Sequence, residues 1–138
     1  MRTFAEFHDS RVRTISILGD EIIIEFPFVY LYLFEGAPFQ EPGSGCGQIG
    51  RMVFSGVISS EIPHLQAEDE TDDFDVWSGS IGVNGQSLNG VFELPLKVEA
   101  SEVKAQIEFN SGAIFKVSCT GVSYFALSEP SFIEPYRA

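Results

Sequence analysis

The chain has 138 residues, with twenty Asp and Glu against eight Lys and Arg, a formal net charge of -12. That field repels nucleic-acid phosphates and anionic lipid surfaces, so nucleic acid and membrane are excluded as expected partners and a basic protein partner is favoured. A hydrophobic fraction of 44% with thirteen Phe argues against a disordered chain, and the length points to a single β domain, residues 1–138, that buries its own core without a staple.

Met1 to Asp9 lacks the long apolar core of a signal peptide, and Ile22 to Phe34 is interrupted by Glu25 and Pro27, short of the ~18 apolar residues of a membrane span. A soluble, cytoplasmic protein is expected. Cys46 and Cys119 match no paired metal-ligand spacing and are expected as two reduced thiols.

Taken in chain order, Arg11 to Leu18 carries β-branched Val12, Thr14, Ile15 and Ile17, which predicts a strand closed by the turn pair Gly19-Asp20. From Glu21, a period of two places Ile22, Ile24, Phe26 and Phe28 on one face and Ile23, Glu25 and Pro27 on the other. Pro27 cannot donate a ladder hydrogen bond and marks a bulge, a break or an edge. Val29 to Phe34 reads as a second short stretch. Glu35 to Gly50, with five glycines and two prolines, reads as a loop. Arg51 to Ser59 is strand-like with a bulge expected at Gly56, and Pro63 closes it. Gln66 to Asp75 is dense in carboxylates whose mutual repulsion predicts an exposed, mobile loop.

Trp77 to Val83 predicts one short strand, followed by Asn84-Gly85 and Asn89-Gly90, which tolerate positive φ. Val91 to Glu99 alternates cleanly, with Phe92, Leu94, Leu96 and Val98 on the core face, and Pro95 favours an edge there. Val103 to Phe109 and Ala113 to Cys119 flank Asn110-Ser111-Gly112, a hairpin in which Ala105, Ile107 and Phe109 face Phe115, Val117 and Cys119. Val122 to Leu127 follows as a third strand. No stretch keeps helical spacing for long, so helix is limited to a turn or two near Ala5 to Asp9 or His64 to Glu70. The fold class is all-β: an antiparallel sandwich or flattened barrel of about seven to ten short strands.

The letters of several chemical motifs occur without their context. Gly45-Cys46-Gly47-Gln48-Ile49-Gly50 spells a dinucleotide fingerprint, but that motif needs a strand before it and a helix after it, and here a strand-like run follows. His8-Asp9-Ser10 holds the letters of a nucleophilic triad, yet triad members must converge from separate segments, so a local role is expected in which Asp9 or Ser10 caps a turn and His8 packs nearby. No nucleophile elbow or phosphate-binding loop is present. The expected catalytic residues, metal ligands and cofactors are therefore none.

The remaining signal is Glu68, Asp69, Glu70, Asp72, Asp73, Phe74, Asp75 and Trp77, the only tryptophan beside the densest acid. Those carboxylates lack the spacing of an EF-hand loop, whereas an aromatic anchor with charge around it is the make-up of a protein interface. The competing reading places Trp77 in the core at the start of a strand.

The ending Ser128-Glu129-Pro130-Ser131-Phe132-Ile133-Glu134-Pro135-Tyr136, after the run Ile107 to Val117, resembles that of small uncharacterised bacterial all-β domains. The opening Phe7-His8-Asp9-Ser10-Arg11-Val12 is similar to the start of certain immunity proteins of bacterial toxin systems. The resemblance implies β-hairpins and carries over no functional residue. The function expected is a non-catalytic acidic binding protein, an immunity-like inhibitor of a basic partner. One alternative is a small-molecule or enzymatic β domain with a Phe-lined pocket served by His8, His64 or Cys46. The other is an assembly protein whose edges near Pro27 and Pro95 are covered by a second copy, forming a homo-oligomer.

Overall fold

A computed structural model of the chain describes residues 2–36, 43–64, 74–88 and 90–136. Among these, one antiparallel sheet of eleven strands curls into a half-barrel: β1 (Arg2–Arg11), β2 (Thr14–Leu18), β3 (Glu21–Phe34), β4 (Gly43–Ser55), β5 (Ser59–Glu61), β6 (Val76–Val83), β7 (Gln86–Leu88), β8 (Val91–Leu94), β9 (Lys97–Phe109), β10 (Ile114–Ala126) and β11 (Ser131–Tyr136). The path through the sheet is β7-β6-β9-β10-β4-β3-β1-β8, with β2 on β3, β5 on β10 and β11 on β4. All-β architecture is thus as expected, and the single curled sheet takes the barrel-like form rather than the sandwich.

The long strands wrap a core rich in phenylalanine. Phe7 packs at a tilt against Phe92 with ring centres 5.4 Å apart, Phe92 meets Tyr124 at 6.3 Å, and Phe54 lies 5.8 Å from Phe115. A strand that follows the curl has to change which face points inward, and bulges do this. In β3 the register jumps between Phe26 and Val29, so Ile22, Ile24 and Phe26 are buried before it and Val29 and Leu31 after it. Pro27 therefore marks the bulge, and Phe28 lies on the outer face rather than with Ile22 and Ile24 as the alternation predicted. In β10 a shift between Cys119 and Gly121 carries the buried set from Phe115, Val117 and Cys119 to Val122 and Tyr124.

Other expectations are corrected. Val29 to Phe34 is no separate stretch but the second half of β3, and Val122 to Ala126 is no third strand but the continuation of β10. Ala5 to Asp9 is no helical turn: it belongs to β1, because Ala5 and Phe7 are buried against the sheet. Gly43 to Gly50 is strand rather than loop. Its glycines make room for aromatic rings, since a Cβ at Gly47 would sit 2.4 Å from the Phe28 ring and one at Gly45 would meet the Tyr30 hydroxyl. Gly56 ends β4 with φ +60° instead of forming a bulge, its absent Cβ leaving space for Thr120. Val91 to Glu99 is divided at Pro95, so that β8 pairs with β1 and β9 with β10, although Phe92 and Leu96 are both buried. The hairpin of β9 and β10 forms with Ile107 opposite Phe115 and Ala105 opposite Val117.

On the outer face of the sheet, Phe28, Tyr30 and Tyr32 of β3 form a belt, with ring centres 6.4 Å and 5.0 Å apart. Tyr30 donates to Glu134 at 2.5 Å, Tyr32 donates to Glu6, and the buried Tyr124 donates to Gln48 at 2.7 Å. Burial holds the Tyr124 phenol above the usual tyrosine range. Tyr30 is raised by desolvation, then by its bond to Glu134 and the negative charge of Glu134, Glu6 and Asp9.

β1 closes toward β6 where Phe7 rests on Gly79. A Cβ at Gly79 would fall 2.5 Å from Phe7 Cγ and 2.9 Å from its Cβ, atoms too near the backbone to swing away. Gly79→Ala is expected to cost about 1–3 kcal/mol in urea unfolding, and an unchanged midpoint with unchanged slope would disprove this contact. Because folding keeps Tyr30 and Tyr124 protonated beyond the free-chain value of about 10, their contribution is complete below that pH and is lost as pH rises past it. Stability should fall above pH about 10, with two tyrosines ionising late in a phenolate absorbance titration.

Candidate functional site

The site begins with the distortion of β1. Register passes from Glu6 opposite Tyr30 to Arg11 opposite Phe28, so the residues between them bulge. Buried Ser10 closes this bulge: its hydroxyl donates to the Glu6 carbonyl at 2.6 Å and accepts the Tyr30 amide at 3.1 Å. Asp9 turns the chain with φ +68°, a left-handed conformation that Asp tolerates better than most side chains. His8 and Asp9 are left facing outward, their side chains 47% and 64% exposed. Ser10 therefore closes a bulge within β1 rather than capping a turn into the first strand, and His8, expected to bond locally, reaches a residue 69 positions further on.

A second bulge faces the first. Val76 pairs with Phe109 and Ser78 with Glu108, so Trp77 has no partner across the ladder and is turned out, 57% exposed. His8 Nδ1 lies 2.6 Å from the Trp77 carbonyl; since a carbonyl only accepts, Nδ1 carries a proton. The two rings meet edge to face at 5.4 Å, and His8 Nε2 is 3.5 Å from Asp9 Oδ1. The floor is fastened by backbone bonds from Val12 to the Phe74 carbonyl and from Asn110 to the Asp75 carbonyl, both 2.9 Å. Arg11 donates to Asp75 at 2.7 Å while lying 6.0 Å from the Phe74 ring centre. Between the bulges is a cleft of about 320 Å³ bordered by His8, Asp9, Asp75, Trp77 and Asn110.

Of the residues singled out in sequence, Glu68, Asp69, Glu70, Asp72 and Asp73, and with them the acidic loop, lie outside the described residues. Phe74, expected as an exposed anchor, is turned inward at 9% exposure, because it lies under Arg11 and leads into the buried Val76. Asp75 and Trp77 reach the surface, and the core placement of Trp77 is overturned by its bulge. Sequence reasoning missed His8, Asp9 and Asn110 as neighbours of Trp77. The only signal was the cluster His8-Asp9-Ser10, which carries no information about what it meets 69 residues further on.

The groups of the pocket reading stand apart. His8 borders the Trp77 cleft, His64 is exposed beyond β5, and Cys46 is buried in β4. Among the described residues, no three His, Cys, Asp or Glu side chains gather to hold a metal ion. A trough of about 480 Å³ crosses β6, β9 and β10 with Lys104 and Lys116 in it, but each lysine has an acid beside it: Glu102 at 3.9 Å, and Glu61 opposite Lys116 in register. Among the described residues no helix is long and apolar enough to cross a membrane. No protein-family model, curated protein or solved structure matches the chain.

Both cysteines are free and buried, and desolvation raises both thiols above the usual range. Neither Cys46 nor Cys119 should react with a thiol reagent in the native protein at neutral pH, and both should react in denaturant. Prompt modification of either in the folded chain would contradict this burial.

Proposed function

We propose that this chain is a non-catalytic acidic binding protein that covers a basic protein partner, as an immunity-like inhibitor would. One observation carries the reading: the sole tryptophan is turned outward and held by His8 beside the carboxylates of Asp9 and Asp75 in a molecule of charge -12. Tryptophan has the largest apolar surface of any side chain, and exposing it on a strand that otherwise buries Val76 and Ile81 forgoes core packing. Such anchors dominate interface energies, and a surrounding negative field speeds encounter with a cationic surface. The same field argues against nucleic acid and anionic membranes as partners, and free thiols are in keeping with the reducing cytoplasm.

A second reading, assembly with another copy, draws on β11. It pairs only with β4 and carries Phe132 and Ile133, 65% and 46% exposed, beside its other edge. The edge near Pro27 does not support it, because β3 has neighbours on both sides. Solution molar mass separates the two readings.

For the docking reading, the association rate with a lysine- and arginine-rich peptide should fall by about tenfold or more between ~0.02 M and ~0.5 M salt. Trp77→Ala should weaken binding by at least about tenfold. Rates indifferent to salt would refute electrostatic docking.

A further inference from the structure

We infer that the cleft between the two bulges is a socket for one arginine side chain of the partner, an assignment that rests on the docking reading above. The chain itself supplies the pattern twice. Arg2 lies 5.2 Å from the Phe4 ring centre and holds Glu93 through two bonds of 2.8 Å, and Arg11 combines the Phe74 ring with Asp75 at 2.7 Å. Trp77 and Asp9 make a third aromatic and carboxylate set, and among the described residues no arginine of the chain lines their cleft.

The acceptors in the cleft point the same way. Because His8 Nδ1 donates to the Trp77 carbonyl, a neutral imidazole presents its unprotonated Nε2 toward Asp9 Oδ1 at 3.5 Å. In the uncharged form of the ring, Nε2 and Asp9 Oδ1 are both hydrogen-bond acceptors open to an outside donor. A guanidinium, with five N–H donors in one plane, can bond both acceptors at once and lay its face on the exposed indole. An ammonium is a compact point charge that cannot do both from one position. The cleft is preorganised, since Ser10 fixes the β1 bulge and the Trp77 carbonyl fixes the imidazole, so little ordering remains for binding to impose.

The test uses the full chain and three peptides, alike except for one central arginine, lysine or citrulline, the last having the shape of arginine without its charge. Trp77 fluorescence reads the site directly, because the chain has no other tryptophan. The arginine peptide should shift this emission saturably and bind at least about tenfold more tightly than the citrulline peptide, with lysine between them. Asp9→Asn removes the carboxylate but keeps a side chain suited to positive φ, so it should abolish most of the arginine preference while leaving the urea midpoint in place. Equal binding of all three peptides, or a preference untouched by Asp9→Asn, overturns the socket. If salt-sensitive binding of polybasic peptide persists in that case, the docking reading survives it; if that binding is absent too, both fail. Free N-acetylarginine amide binding as tightly as the peptide would assign the cleft to a small-molecule cation and overturn the partner side chain. The peptide series on the unaltered chain decides the matter even if the variant is unstable.

Discussion

A single sheet that curls around buried phenylalanines has to bend its long strands, and each bend is made by residues the ladder leaves unpaired. In β3 the bulge at Pro27 and Phe28 moves the apolar set from even to odd positions, and in β10 the shift at Thr120 moves it from odd to even. Without these phase changes, half of each strand would turn its apolar side chains to water. The same device, applied where β1 approaches β6, expels His8, Asp9 and Trp77 from the interior. Core formation and surface chemistry in this molecule thus share one cause.

Bulges also limit what can be read in the residue order. The β9 and β10 hairpin was legible because its turn Asn110-Ser111-Gly112 is flanked by uninterrupted alternation, and its facing pairs are those the pattern implies. Phe28 was not, because a period of two extended through Pro27 assigns it to the core face, whereas one inserted residue reverses it. The glycines of β4 misled for a different reason. Local propensity marks Gly43, Gly45 and Gly47 as loop, but their lack of side chains is what admits Phe34, Tyr30 and Phe28, residues far off in sequence. Phe74 and Trp77 sit three residues apart in the same acidic context, and only the Val76–Ser78 register shift explains why one is buried and the other exposed.

Electrostatics explains how an acidic body keeps its few cations useful. Arg2, Arg11 and Arg51 each hold a carboxylate, joining β1 to β8, β1 to the start of β6, and β4 to β3. The Arg11 and Arg51 pairs are partly exposed, so each contributes on the order of 0–1 kcal/mol to stability. Their main effect is on position: the Arg11 and Asp75 pair fixes the floor beneath the outward-facing Trp77.

Backbone geometry and cleft charge meet at Asp9. A positive φ on a residue with a side chain costs on the order of 1 kcal/mol, a strain that glycine would avoid. Glycine, however, would bring no carboxylate to the cleft, and Ser10, which closes the bulge through Glu6 and Tyr30, sits where it does only because the preceding residue reverses the chain. Aspartate meets both needs, since its short polar side chain tolerates the left-handed region and its charge lies beside His8 and Trp77. The conformational strain and the local charge are consequently properties of one residue, placed where the half-barrel comes nearest to closing.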